Sequence, residues 1–135
     1  MLKKRGQSAT EYLIIIGFVT FAVLATLAIA YIYSGIIKDK IKVNQIETLA
    51  DKIISSAESV YYAGEPSKTT VSIFVPKGAE DITVMRSEII ITFSTSAGTN
   101  VRSFTSSVPL EGSISATEGT KKITLTAQED SVLIS

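Results

Sequence analysis

Ser8 and Glu11 stand three residues apart in the segment Gly6-Gln7-Ser8-Ala9-Thr10-Glu11-Tyr12-Leu13, immediately ahead of a long uncharged stretch. The pattern S-x-x-E before an apolar run is a capping box. In it the Ser8 side chain accepts from the backbone N–H of Glu11, and the Glu11 carboxylate accepts from the N–H of Ser8. A carboxylate in a first helical turn also suits the helix dipole, by roughly 0.3–1 kcal/mol at an exposed site. Catalytic chemistry is harder to assemble. The chain has no histidine, cysteine or tryptophan, which removes thiol nucleophiles, disulfides, thiolate and imidazole metal ligands, and the commonest general base. The adjacent acids Glu80-Asp81 and Glu129-Asp130 fall in turn-like stretches and read as solvated loop charges, not as a working carboxylate pair. No Gly-rich phosphate loop, Ser-His-Asp set or metal-ligand spacing occurs. The expectation is a protein without enzymatic activity, cofactor or metal.

The elements that position Ser8 and Glu11 divide the chain in four. Residues 1–6 form a short basic leader with Lys3, Lys4 and Arg5, closed by Gly6. Residues 7–37 are the apolar half of a helix: Leu13 to Ile37 is a run of 25 residues without a charge, which as a helix spans about 37 Å against a hydrocarbon core of about 30 Å. Residues 38–63 continue the helix with an amphipathic pattern. Ile37, Ile41, Ile46, Leu49, Ala50, Ile53, Ala57, Val60 and Tyr61 recur at three- and four-residue steps, with Lys42, Glu47, Asp51, Lys52 and Glu58 between them. Gly64 and Pro66 supply the stop. An ordinary secretory signal has an apolar region of about 7–15 residues followed by a small-residue cleavage site, and neither feature is present here.

Residues 64–135 change composition. From Ser67 to Ser135 serine and threonine account for 23 of 69 residues, and short β-rich runs alternate with turn residues, so this part reads as all-β. Strands are expected near 69–75, 82–85, 88–94, 101–106, 113–117, 121–127 and 132–134. Turns are expected at Pro76-Lys77-Gly78, Ser96 to Asn100, Glu111-Gly112, Glu118-Gly119-Thr120 and Gln128-Glu129-Asp130. About seventy residues make a marginal core on their own, so the amphipathic half of the helix is expected to pack against the sheet. The fold class is therefore α+β: a long N-terminal helix on a small antiparallel sheet or sandwich head.

The arrangement Lys3-Lys4-Arg5-Gly6-Gln7-Ser8-Ala9-Thr10-Glu11-Tyr12-Leu13, followed by an apolar helix, resembles the type III (class III) signal peptide of archaeal type IV pilins. The fit lies on Gln7, Ser8, Glu11 and Tyr12, with Ser8 one place earlier than that pattern puts it. It covers about the first forty residues closely, and the remainder only in architecture. The resemblance implies that a membrane prepilin peptidase cuts between Gly6 and Gln7, making Gln7 the new N-terminus. It implies further that the Glu11 carboxylate pairs with the N-terminal amine of a neighbouring subunit and sets axial register during assembly. The implied partners are copies of the same chain, the peptidase, a pilus assembly ATPase and a membrane platform protein.

Loss of the leader would remove three of the 13 basic residues against 13 acidic ones, leaving a mildly acidic chain with no basic patch for nucleic acid. A greasy helix withdrawn from lipid must be buried among copies of itself, and Ala22, Thr26, Ala30 and Ser34 form a small-residue stripe that allows close helix approach. Ordinary membrane-helix composition accounts for that stripe equally well. Lys3, Lys4 and Arg5 before the apolar run nearly balance Lys38, Lys40 and Lys42 after it, so the resemblance decides the orientation: N-terminus cytoplasmic in a membrane precursor, then an extracellular adhesive filament. The alternatives are an archaellin-like or minor pilin subunit, and a single-pass anchored β domain that binds a ligand as a monomer.

Overall fold

Helix α1 (Leu2–Ala63) opens the chain and seven strands follow: β1 (Lys68–Val75), β2 (Ala79–Met85), β3 (Glu88–Thr95), β4 (Gly98–Thr105), β5 (Leu110–Gly112), β6 (Gly119–Ala127) and β7 (Val132–Ile134). The computed structural model describes residues 2–135, with side chains from Gly6 onward. The side chains of Lys3, Lys4 and Arg5 in the expected leader, and Met1, lie outside the described residues. The chain divides into two compact units, Met1–Lys38 and Asp39–Ser135.

The first unit is helical from Leu2 onward, which corrects the expectation of a helix N-terminus at Ser8. With a turn of helix already upstream, the N–H groups of Ser8 and Glu11 take ordinary i→i−4 carbonyl partners. Among the described residues no side-chain hydrogen bond joins Ser8 and Glu11, and the expected capping box is not formed. Helix continues through Gly17 and Gly35, where an added Cβ would meet nothing within 4 Å.

In the second unit the C-terminal part of α1 packs on two sheets. Sheet one has the order β1-β6-β7-β5 and sheet two β2-β3-β4. From the helix, Ile46, Leu49, Ala50, Ile53, Ala57 and Val60 are buried, at the three- and four-residue steps that one helical face requires. They meet Ile73 and Val75 of β1, Ile89, Ile91 and Phe93 of β3, Leu125 of β6, and Val132 and Ile134 of β7 in a single cluster. Each such Ile, Leu or Val side chain contributes about 1.5–3 kcal/mol on leaving water. Burial starts later than the sequence pattern suggests, because Ile37 and Ile41, expected in the buried stripe, are about half exposed at 54% and 51%. The helix stops where expected. Gly64, at φ +82°, takes the left-handed conformation that glycine adopts without a Cβ penalty, and its N–H donates to the Tyr61 carbonyl at 3.1 Å.

The strands correct the sequence reading at several places. β2 begins at Ala79, so Glu80 and Asp81 lie in a strand and not in a turn. The Pro76-Lys77-Gly78 turn is tight, with Ala79 N–H bonded to the Pro76 carbonyl at 3.3 Å, and a register shift between Ala79 and Asp81 absorbs Glu80. β4 likewise starts at Gly98, after a two-residue turn at Ser96-Ala97. The Asn100 amide there donates to Thr95 Oγ1 at 2.8 Å and to the Gly98 carbonyl at 3.1 Å, stitching residues that read as loop into the ladder.

The third correction is at Glu111-Gly112, expected as a turn, which belongs to β5. β5 runs parallel to β7, so sheet one is mixed while sheet two is wholly antiparallel. Gly112 permits this pairing: at φ +120°, a Cβ placed on it would lie 2.1 Å from the Ile134 carbonyl oxygen. The expected strand at 113–117 is not one. Ile114 is buried and Ala116 half-buried between exposed neighbours, so the alternation is real, but no strand pairs with it and the periodicity reports facing alone.

Candidate assembly surface and helix ties

From Gly6 onward, side chains of the first unit are exposed all round the helix. Tyr12, Phe18, Phe21, Leu24 and Tyr31 are exposed, Tyr31 at 84%. This is the one described helix long and apolar enough to cross a membrane, and its most apolar window is wholly unburied. A helix that is apolar on every face is unstable in water and requires lipid or other helices.

The residues singled out in the sequence sit on this helix as follows. Gly6, Gln7, Ser8, Glu11 and Tyr12 are all exposed within its first turns. The Gly6 carbonyl, at the expected processing site, accepts the Thr10 hydroxyl at 2.9 Å in addition to its place in the helix. Glu11 forms no ion pair among the described residues, and nothing brings it to Gln7 within one chain. Ala22, Thr26, Ala30 and Ser34 are exposed at successive helical steps. The Thr26 hydroxyl donates to the Ala22 carbonyl at 2.9 Å, which satisfies its polar group locally.

A second set of residues, not singled out from the sequence, lies in the second unit where the helix carries charge. The Asp39 carboxylate accepts the Ser96 backbone N–H at 3.2 and 3.3 Å and the Ser96 hydroxyl as well. The Ser96 hydroxyl chiefly holds the Asp39 carboxyl below its ordinary value; the Ser96 amide and the Lys42 ammonium add to this, while partial desolvation opposes it. Lys42 Nζ donates to the Ser94 carbonyl at 2.5 Å. Further along, Arg102 meets Glu47 at 2.7 Å, and Ser107 donates to the Glu58 carboxylate. Lys42, Glu47 and Glu58 read from the sequence as the wet face of an amphipathic helix. They tie that face to β3, β4 and the segment that follows. Their partners are 49–55 residues away, so no local spacing announces them.

On the opposite flank of the same helical segment, a groove of about 370 Å³ opens between α1 and β1, lined among others by Ile41, Asn44, Thr48, Leu49, Ile73 and Phe74. Phe74 and Ile41 are both about half exposed there. Glu129 and Asp130 remain exposed in the bend between β6 and β7, while the Asp81 carboxylate accepts the Thr83 hydroxyl at 2.6 Å.

No protein family, curated protein or solved structure matches the chain.

Proposed function

We propose that this chain is the structural subunit of an archaeal type IV pilus. It inserts in the membrane as a precursor, loses residues 1–6 by cleavage after Gly6, and polymerises through its N-terminal helix into an extracellular adhesive fibre. The observation that carries the reading is the 25-residue uncharged stretch from Leu13 to Ile37, exposed on every face of a helix whose next segment is built into a β domain. Lipid satisfies such a surface before assembly, and copies of the same helix satisfy it afterwards. On this reading the peptidase, an assembly ATPase and a membrane platform protein act on the chain, which itself needs no catalytic group, metal or cofactor.

The geometry around Gly6 gives cleavage a second consequence. The carbonyls of residues 4–6 accept the N–H groups of residues 8–10 in the continuous helix, and the Gly6 carbonyl also holds the Thr10 hydroxyl. Cutting after Gly6 removes these acceptors, and Glu11 moves from the helix interior to the first turn. There the Ser8–Glu11 capping box can form, and a carboxylate favours the new helix terminus. A new amine at Gln7 of a neighbouring copy is then the cation that a Glu11 buried among helices requires.

A second reading, an anchored monomer whose β domain binds a ligand, is favoured by the open apolar groove between α1 and β1. Mass spectrometry of material purified from cells separates the two. The pilus reading expects a chain beginning at Gln7, recovered in sheared surface material; an intact Met1 on membrane-bound monomers overturns it.

A further inference from the structure

We infer that the free edge of β1 pairs antiparallel with the free edge of β4 on a neighbouring copy of the chain, with Phe74 of one copy beside Val101 of the other. This contact rests on the fibre reading, and every residue in it belongs to the second unit.

Sheet one ends at β1 and β5, and sheet two at β2 and β4. β2 and β5 lie against each other, where the Leu110 N–H donates to the carbonyl of Arg86, just past β2, at 2.9 Å. β1 and β4 are left as open edges. Backbone groups alternate in direction along an antiparallel strand, so one bond fixes the rest. The Ala127 N–H donates to the Ser67 carbonyl at 2.8 Å, which turns the odd-numbered residues of β1 toward β6. The N–H and C=O groups of Thr70, Ser72 and Phe74 therefore point away from the sheet. The Ser106 N–H donates to the Ser87 carbonyl at 2.8 Å, which turns the even-numbered residues of β4 toward β3. Those of Thr99, Val101, Ser103 and Thr105 point outward. Neither edge has a second strand, and no turn or loop hydrogen bond among the described residues takes up these groups.

Such a row of unpaired backbone groups is a template for another strand. The strands expose three large apolar side chains, Phe74, Met85 and Val101. Two of them, Phe74 and Val101, stand at outward-pointing positions of the open edges. Pairing β1 with β4 covers both in one contact, as an aromatic and β-branched cross-strand pair. β1 against β1, or β4 against β4, leaves one of them in water.

Direction and height agree with this pairing. β1 starts just past the helix end, where the Ser67 N–H donates to the Gly64 carbonyl at 2.8 Å, and runs back toward Gly78, which reaches Lys42 through Ser94. β4 starts after Ser96, bound to Asp39, and runs forward toward Ser107, bound to Glu58. The two strands thus run in opposite directions along residues 39–63, so copies standing side by side with the same polarity present these edges antiparallel. Phe74 lines the groove with Asn44 and Thr48, while Arg102, beside Val101, meets Glu47 on the other flank. Both side chains therefore stand at one level of the helix. Each added copy leaves a new β1 and a new β4 edge open, so the contact propagates and does not close on itself.

The chain has no cysteine, so cross-links can be placed in the full-length protein. With Phe74 opposite Val101, the antiparallel register sets Ser72 opposite Ser103 and Thr70 opposite Thr105. Sheared fibres of Ser72→Cys with Ser103→Cys, oxidised by copper phenanthroline in air, should run without reductant as a ladder of dimers, trimers and higher multimers. Thr70→Cys with Thr105→Cys should ladder as well, and each single variant should stay monomeric. Fibres of the unaltered chain carry a second readout: amide exchange at Ser72, Phe74, Val101 and Ser103 should be several-fold slower than in the detergent-held monomer. A dimer from Ser72→Cys alone or Ser103→Cys alone means that an edge pairs with itself, which overturns the β1–β4 contact. Intact fibres with neither ladder nor slowed exchange overturn it too, and leave the fibre reading standing. Absence of fibres from the unaltered chain overturns both.

Discussion

The carboxylate of Asp39 accepts both the backbone N–H and the hydroxyl of Ser96, fixing the tip of the β3–β4 hairpin to the helix two residues beyond the uncharged run. A second tie of the same helix is the ion pair Arg102–Glu47, whose side chains are 48% and 42% exposed; exposed pairs of that kind are worth about 0.2–1 kcal/mol.

The Asp39 carboxyl lies below its ordinary value, chiefly through the Ser96 hydroxyl. The folded state thus holds this proton less tightly than the unfolded chain, and the contribution is fully present above the unfolded value of about 4. It is lost as pH falls through the folded value. Denaturant titrations of the full chain in detergent should show stability falling below about pH 4, with Asp39→Asn showing a smaller acid-induced fall. Equal falls in both proteins would mean that the Ser96 bonds contribute no pH dependence.

Ile53 is fully buried at the centre of the helix face that meets the sheets. Truncation to alanine leaves a cavity and should cost about 2–5 kcal/mol, measured as a lowered denaturation midpoint with an unchanged slope. Ile41→Ala, at the half-exposed groove rim, should cost much less.

Gly112 is held at φ +120° against the β7 backbone. Gly112→Ala combines a disfavoured conformation, of order 1–3 kcal/mol, with a steric collision at the Ile134 carbonyl. Hydrogen exchange should show β5 and β7 losing protection before β3. Uniform loss across both sheets would mean that the parallel pair is not a separable part of the domain.

Glu11→Ala should leave the chain inserted in the membrane and its β domain folded, because Glu11 has no partner within the described chain. Fibres counted by electron microscopy should become rare or short. Fibres of normal number and length would reduce Glu11 to a helix-terminus residue.

Much of the fold was legible because its causes are local. The helix end at Gly64 followed from glycine and proline chemistry, and the buried run from Ile46 to Val60 followed from its spacing. The parallel β5–β7 pair was not legible: Glu111-Gly112 has the composition of a turn, and the need for a missing Cβ at 112 arises only when β7, about twenty residues later, lies against it. The same holds for the helix charges. Lys42 looked like a flank of an apolar run, and its bond to Ser94, like that of Asp39 to Ser96, depends on a hairpin more than fifty residues away. The Ser8–Glu11 motif was visible, but its capping geometry requires a helix that begins there, and the helix begins earlier, at Leu2.

The most direct measurement is a helical reconstruction of fibres sheared from cells that produce this chain. The account predicts a core of α-helices from residues 7–37 packed side by side, no density for residues 1–6, and Glu11 within hydrogen-bonding reach of a neighbouring Gln7 amine. Fibres whose core excludes these helices, or surface material that never contains this chain while it remains a membrane monomer beginning at Met1, would contradict it.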